Sequence, residues 1–250
     1  MNEEIALKLE NVHLTYPVSK GSLISVKGLF SIFSRRKDKI TSTLKDINLQ
    51  IMKGEVIGVL GHNGAGKSTL LRLLAGIYQP DKGSVSVNGK ISLLASLGTG
   101  FQRDLSGRDN IVLSGALHGI PIEKVRALIP SVILFSGLED SIDKPLRTYS
   151  SGMRARLGFS IVAHLDPEIL LFDEVFAVGD SSFRERSKQR ITEMVNGDST
   201  VIIVTHNEQL IRDMCGRVIC IDEGRLVLDT TDIEMAISEY HENSNKRDLK

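Results

Sequence analysis

The sequence predicts an α/β fold with a mostly parallel sheet at its centre. Three observations carry that reading. Short apolar runs bounded by turn residues, Val56–Leu60, Ile169–Phe172 and Thr200–Thr205, alternate with longer helical patterns. Such alternation marks strand–helix–strand units, whose strands lie parallel and buried on both faces. The first run passes into a glycine-rich loop, Gly61–Ser68, and then into a leucine-rich helix. The other two runs end in polar tips, Asp173-Glu174 and His206.

The elements follow in order. Residues 5–16 alternate apolar and polar in part and read as a strand pair of a small antiparallel sheet, ending at Tyr16. The stretch Lys20–Lys39 looks inserted, and residues 44–51 resume the alternation. Gly76 and Pro80-Asp81-Lys82-Gly83 mark a stop and a turn, followed by a strand over Ser84–Val87 and a hairpin signal at Asn88-Gly89. From 104 to 165 the character is helical. Ser106-Gly107-Arg108-Asp109 is a capping-box pattern, Pro121 starts a helix and Pro130 interrupts it. Met153–His164 is amphipathic, with Leu157, Ile161 and Leu165 on one face. Ser182–Val195 reads as helix, Arg217–Asp222 and Arg225–Leu228 as a hairpin turned by Glu223-Gly224, and Asp232–Tyr240 as a last short helix. Residues 241–250 form a polar, frayed tail. All of this fits one domain over 1–250.

Composition narrows the function. Lys and Arg number 31 and Asp and Glu number 31, so the net charge is zero and a nucleic-acid partner gets no support. Cys215 and Cys220 lack metal partners at a known spacing and read as buried thiols in a reducing cytosol. The start, Met-Asn-Glu-Glu, is no signal peptide, and no apolar run approaches the ~18 residues that span a bilayer. Work at a membrane would need partners or a surface-lying segment.

The loop carries the chemistry. Gly61-His62-Asn63-Gly64-Ala65-Gly66-Lys67-Ser68-Thr69 contains G-x-x-x-x-G-K-S/T between a buried strand and a helix, the context a phosphate loop requires. Its glycines let backbone wrap a phosphate chain, and its N–H groups and the helix start supply positive potential. Lys67 would reach the outer phosphates and Ser68 would hold Mg²⁺. A parallel strand would deliver Asp173 beside that ion, and Glu174 could polarise an attacking water. Such carboxylates could also be plain turn residues at a strand end. His206, at the tip of the next strand, is a candidate sensor of the terminal phosphate or an ordinary exposed histidine. Tyr16 fits either adenine stacking or the core. Ser150-Ser151-Gly152-Met153 is by itself only a helix cap, although a helix start can bind phosphate.

The order of these motifs resembles an ATP-binding-cassette nucleotide-binding domain over nearly the whole chain. The resemblance implies that family's fold: a RecA-like P-loop core, a small antiparallel β subdomain and an α-helical subdomain. It implies ATP and Mg²⁺ as cofactors and ATP hydrolysis as the activity. On that match Tyr16 falls at the adenine-stacking aromatic, Asp173 at the magnesium site, Glu174 at the catalytic base and His206 at the switch histidine. Ala177-Val178-Gly179-Asp180 matches the dimer-contacting D-loop, and Ser150-Ser151-Gly152-Met153 the signature Ser-Gly-Gly-Gln with two departures. The match implies a head-to-tail homodimer with ATP between the loop of one subunit and the signature of the other. In the register of the usual Q-loop glutamine stands Leu97. Gln102, five residues later, is the nearby glutamine and its role, including any at the metal, stays open.

Tyr-Ser-Ser-Gly-Met-Arg and Phe-Asp-Glu-Val-Phe-Ala-Val-Gly-Asp are similar to the ATP-binding subunits of bacterial polysaccharide exporters. The resemblance implies export of a lipid-linked, O-antigen-like polysaccharide, two copies of an integral membrane subunit, and a peripheral site on the cytoplasmic face of the inner membrane. The alternatives are an exporter of teichoic acid, capsule, lipid or drug, or a soluble cassette ATPase. An unrelated P-loop kinase or GTPase would lack the signature helix and the switch histidine. Residues 20–39 hold six basic residues and one acid, with Leu23, Val26, Phe30 and Phe33 at helical spacing. They read as a surface helix packed on the small sheet, or as a short helix on the membrane lipid surface. Gly28 weakens such a helix by about 1 kcal/mol relative to Ala.

Overall fold

The computed structural model describes residues 4–17, 40–93, 98, 100–165, 167–173 and 180–248. The inserted stretch 20–39 lies outside them. Among the described residues, two sheets and a helical cluster make up the α/β architecture. The first sheet is antiparallel, in the order β2 (Ile40–Met52), β1 (Ile5–Pro17), β4 (Lys82–Val87). The second has the order β5 (Ile91–Leu93), β6 (Ile169–Asp173), β7 (Thr200–Val204), β3 (Val56–Leu60), β8 (Arg217–Asp222), β9 (Arg225–Thr230). Its strands are parallel except for the β8–β9 hairpin.

Period-two side-chain alternation explains why the central strands read as unbroken apolar runs. Leu171 of β6 and Ile202 and Val204 of β7 face one core, with Leu7, Leu44, Ile47, Leu70 and Leu74. Leu170 and Phe172, and Val201 and Ile203, face the other, with Phe159, Phe183, Ile191 and Ala236. The helix after β3, α1 (Lys67–Leu74), seals the first core and buries Leu70, Leu71, Leu73 and Leu74. The second is covered by α4 (Ser151–His164), α5 (Ser181–Val195), α6 (Glu208–Met214) and α7 (Ile233–Asp248). A third core, around Ile111, Val125, Val132, Leu146 and Leu157, belongs to α2 (Gly107–Leu117), α3 (Ile122–Ser136) and α4.

Four expectations need correction. Residues 5–17 form one strand, not a pair; its partner is β2, and the polar break at Asn11 is an irregularity with φ 49°. Asn88-Gly89 makes no hairpin. β4 pairs with β1 and β5 with β6, so Gly89 carries the chain from one sheet to the other. Pro130 lies inside α3 without ending it. It and Arg126, whose carbonyl it leaves unpaired, are exposed, so water can take the freed acceptor while Val125, Ile129 and Val132 hold the buried face. The tail is not frayed at 241, because α7 runs on to Asp248. His241 Nε2 lies 2.6 Å from a Glu208 carboxylate oxygen, which docks the turn from which the polar remainder propagates.

Candidate functional site

Strand register gathers the candidate residues on one edge. Asp173 lies beside Val204, and Val204 beside Val59, so β6, β7 and β3 end level. Their carboxyl ends deliver Asp173, Thr205-His206 and Gly61 to the same rim, the edge where open α/β sheets bind ligands.

The loop from β3 to α1 is shaped by its glycines. Gly61, Gly64 and Gly66 have φ of 154°, 83° and 115°. A Cβ on Gly61 would stand 2.3 Å from the Ile221 carbonyl oxygen, and one on Gly66 2.9 Å from that of Thr43. Gly64 has nothing within 4 Å of such a Cβ and faces open space. No side chain caps α1, so its first amides remain available to an anion. The Lys67 ammonium is buried and donates to the carbonyls of Gly61 and His62, the latter at 3.1 Å.

These groups surround an open cavity of about 250 Å³. His62, Asn63, Gly64, Gly66, Lys67, Ser68 and Thr69 line it, and Asp173 and His206 close it from the neighbouring strand ends. Ala65 is buried beneath the loop. Thr43 and Arg72 also reach the wall, and sequence reading missed both. Arg72 stands four residues after Ser68 on the same helix face, so its position was in principle legible. Thr43 arrives by tertiary contact, since Lys45 N–H donates to the Gly224 carbonyl at 2.7 Å and Gly224 N–H to that of Ala65 at 2.9 Å. The Glu223-Gly224 turn is thereby pressed onto the phosphate loop. His62 Nε2 lies 3.1 Å from Asp222 Oδ1.

Other candidates sit elsewhere. Ser150 caps α4, its Oγ accepting from the Met153 amide at 3.1 Å, and Ser150, Ser151 and Gly152 are exposed away from this cavity. Asp180 caps α5 by accepting from Phe183 N–H at 2.9 Å. The carboxyl is held below its ordinary range, by that bond first and then by the Ser182 hydroxyl; desolvation opposes this, and the Arg156 charge adds a lesser pull in the same direction as the hydrogen bonds. Gln102 is exposed, its backbone tied to the Asn110 amide at 2.8 and 3.0 Å, and it is not among the described residues lining the cavity. The backbone of Tyr16 pairs with Thr41 at the end of β1. The Tyr16 side chain, Leu97, Glu174 and residues 177–179 lie outside the described residues. Among the described residues no three His, Cys, Asp or Glu side chains form a metal cluster. A hydroxyl and a carboxylate, Ser68 and Asp173, still match the donors magnesium takes from protein when phosphate and water supply the rest.

Comparison with known proteins agrees with this arrangement. The profile of the ABC transporter family matches residues 44–177. The O-antigen export system ATP-binding protein RfbB of Klebsiella pneumoniae is 38% identical over 227 residues, 89% of this chain and 92% of the relative. A protein of the same name from Myxococcus xanthus is 43% identical over 189 residues, 76% of this chain and 43% of the relative. The teichoic acids export ATP-binding protein TagH of Shouchella clausii is 35% identical over 237 residues, 95% of this chain and 65% of the relative. The chain thus spans less than two thirds of the last two. Among solved structures, an ATP-binding subunit of an ABC transporter superposes with a TM-score of 0.73, at 18% identity, over 93% of this chain and 92% of that one. A dimeric ATP-binding cassette in a post-hydrolysis state bound to ADP and Pi gives 0.69 at 22% identity, over 90% and 97%. Both show the fold. With the phosphate loop, the strand-end Asp173 and the helical segment in that fold, the chain belongs to the ATP-binding-cassette transporter family, among its nucleotide-binding subunits.

Proposed function

We propose that this chain is the ATP-hydrolysing subunit of an exporter for a lipid-linked polysaccharide of the O-antigen kind. In this reading it works as a homodimer beneath two copies of an integral membrane subunit, peripheral to the cytoplasmic face of a bacterial inner membrane. The supporting observation is the convergence of Lys67, Ser68, Asp173 and His206 on one cavity, in a chain that matches the Klebsiella export subunit along nearly its whole length.

The glycine cradle and uncapped helix start fit a phosphate chain. Bound ATP with Mg²⁺ supplies the bond to be broken and neutralises the charge on its outer oxygens. Gly61–Thr69 hold the phosphates, with Lys67 bringing its cation to them. Ser68 and Asp173 hold the metal, and Gln102 stays an open third candidate. Glu174 polarises the attacking water, and His206 donates to the terminal phosphate. Tyr16 stacks on adenine. Ser150, Ser151 and Gly152 serve the nucleotide of the opposite subunit, with Asp180 beside the dimer contact.

Among the described residues no helix is long and apolar enough to cross a membrane. The helical segment 106–164 is proposed to dock on the membrane subunit, and residues 20–39 to lie on lipid and gate entry of the carrier. The body 1–250 is taken as one ATPase domain. Teichoic acid is the second reading, because TagH matches 95% of this chain. The O-antigen reading is preferred because the identity to the two RfbB proteins, 38% and 43%, exceeds the 35% to TagH. Deleting the gene and complementing with wild type or Lys67→Ala tests it. Loss of the long-chain lipopolysaccharide ladder, restored by wild type alone, is expected; loss of surface teichoic acid instead supports the second reading.

A further inference from the structure

The last helix reaches the candidate phosphate-sensing histidine. His206 stands just before Asn207, which caps α6, and its Nδ1 lies 3.1 Å from the Tyr240 hydroxyl of α7. The ring centroids are 6.4 Å apart, so the polar atoms make the contact rather than the ring faces. The core fixes where Tyr240 stands. Ala236 and Ile237 are buried in the second core, and Tyr240 follows them by four and three residues on the same helix face. Two contacts clamp α7 to α6 on either side of it. Arg212 donates to Glu234 at 2.7 Å, and His241 Nε2 lies 2.6 Å from Glu208.

We propose that Tyr240 is a positioning residue for His206: its hydroxyl donates to Nδ1 and so fixes the imidazole tautomer that carries its proton on Nε2. This rests on the reading of His206 given above. A neutral imidazole has one donor nitrogen and one acceptor, and the partner at one nitrogen decides what the other does. With Nδ1 accepting from Tyr240, Nε2–H is a donor and matches an anionic phosphate oxygen. The opposite tautomer would turn a lone pair toward that oxygen. A residue 34 positions away on the C-terminal helix thereby sets the donor that faces the terminal phosphate.

Steady-state ATP hydrolysis by the 250-residue chain tests this with Tyr240→Phe, His206→Ala and the double variant. Tyr240→Phe keeps the ring and removes only the hydroxyl. The expected result is a kcat lowered about fivefold, the worth of one hydrogen bond, with KM for ATP unchanged. In the His206→Ala background the same change should cost nothing further. Wild-type kcat in Tyr240→Phe beside an impaired His206→Ala overturns the inference and leaves the histidine's role standing. An equal loss in both backgrounds also overturns it, since Tyr240 would then act elsewhere. Wild-type kcat in His206→Ala removes the underlying reading and the inference with it. Imidazole ¹⁵N NMR, with the His206 signals identified by their loss in His206→Ala, reads the tautomer without turnover. It should show the Nε2–H form in wild type and a tautomer mixture in Tyr240→Phe; an unchanged spectrum overturns the proposal.

Discussion

Arg156 of α4 donates to the Asp180 carboxylate at the start of α5, Nη1 to Oδ2 at 3.3 Å. The helix that opens with Ser150-Ser151-Gly152 is thereby tied to the residue read as the dimer contact. Asp180 has a titration below the ordinary carboxylate range, chiefly because Phe183 N–H donates to it. A carboxylate depressed in the fold stabilises above its unfolded value and loses that contribution as pH falls through the folded one. Melting temperature should therefore decline in acid, below about pH 4. Asp180→Asn keeps a capping side chain and should show a shallower acid decline. Scanning fluorimetry across acid pH checks this, and an acid slope identical to wild type contradicts it.

Gly61 and Gly64 should separate folding from binding. Alanine at 61 meets the Ile221 carbonyl at 2.3 Å and needs β8 to move, so Gly61→Ala should lose on the order of 2–3 kcal/mol or fail to fold. Alanine at 64 meets nothing within 4 Å, and its positive φ costs about 1 kcal/mol. Gly64→Ala should therefore fold while binding ATP more weakly, because Gly64 lines the cavity proposed to take the phosphates. Urea melts with nucleotide titrations check the pair. Equal stability losses would contradict the assignment.

Cys215 and Cys220 are buried, and burial pushes both thiols up to about 12. A thiol raised in the fold favours the neutral form, so its stabilising effect holds below the unfolded value, about 8.5, and fades as pH climbs toward the folded one. Alkylation at about pH 8 should follow global unfolding, and denaturant should speed it by orders of magnitude. Rapid labelling of the native chain, followed by mass spectrometry, would contradict this burial.

How much the sequence disclosed depended on how local each signal was. The loop Gly61–Thr69, the strands at Val56, Ile169 and Thr200 and the Ser106 cap were legible because neighbours in sequence make them. Asn88-Gly89 misled because the same dipeptide that closes a hairpin can also carry a chain between sheets. Pro130 misled because its effect depends on which helix face meets water. Thr43 in the cavity wall and Tyr240 at His206 come from contacts between distant elements, which periodicity does not encode. The run past Tyr240 looked polar and unsupported, whereas His241 and Glu208 anchor it.

The helical unit presents Leu117 at 64% exposure, and Leu105 at 41% lies in the turn before the same helix. Apolar side chains left in water on a proposed docking unit suit a membrane subunit's face. Leu117→Arg should change stability by less than about 0.5 kcal/mol and leave ATP hydrolysis by the purified chain intact. Export in complemented cells should fall. Normal export with the variant would move the docking face elsewhere.

In the proposed function this chain closes as a dimer on ATP and hydrolyses it with Glu174. Size-exclusion chromatography of Glu174→Gln with ATP and Mg²⁺ tests it most directly, because glutamine keeps the side-chain shape and removes the polarising carboxylate. The expected result is a stable dimer that retains ATP, and a monomer when Lys67→Ala or Ser150→Arg is added. Turnover at the wild-type rate, or a dimer indifferent to Ser150→Arg, would contradict it.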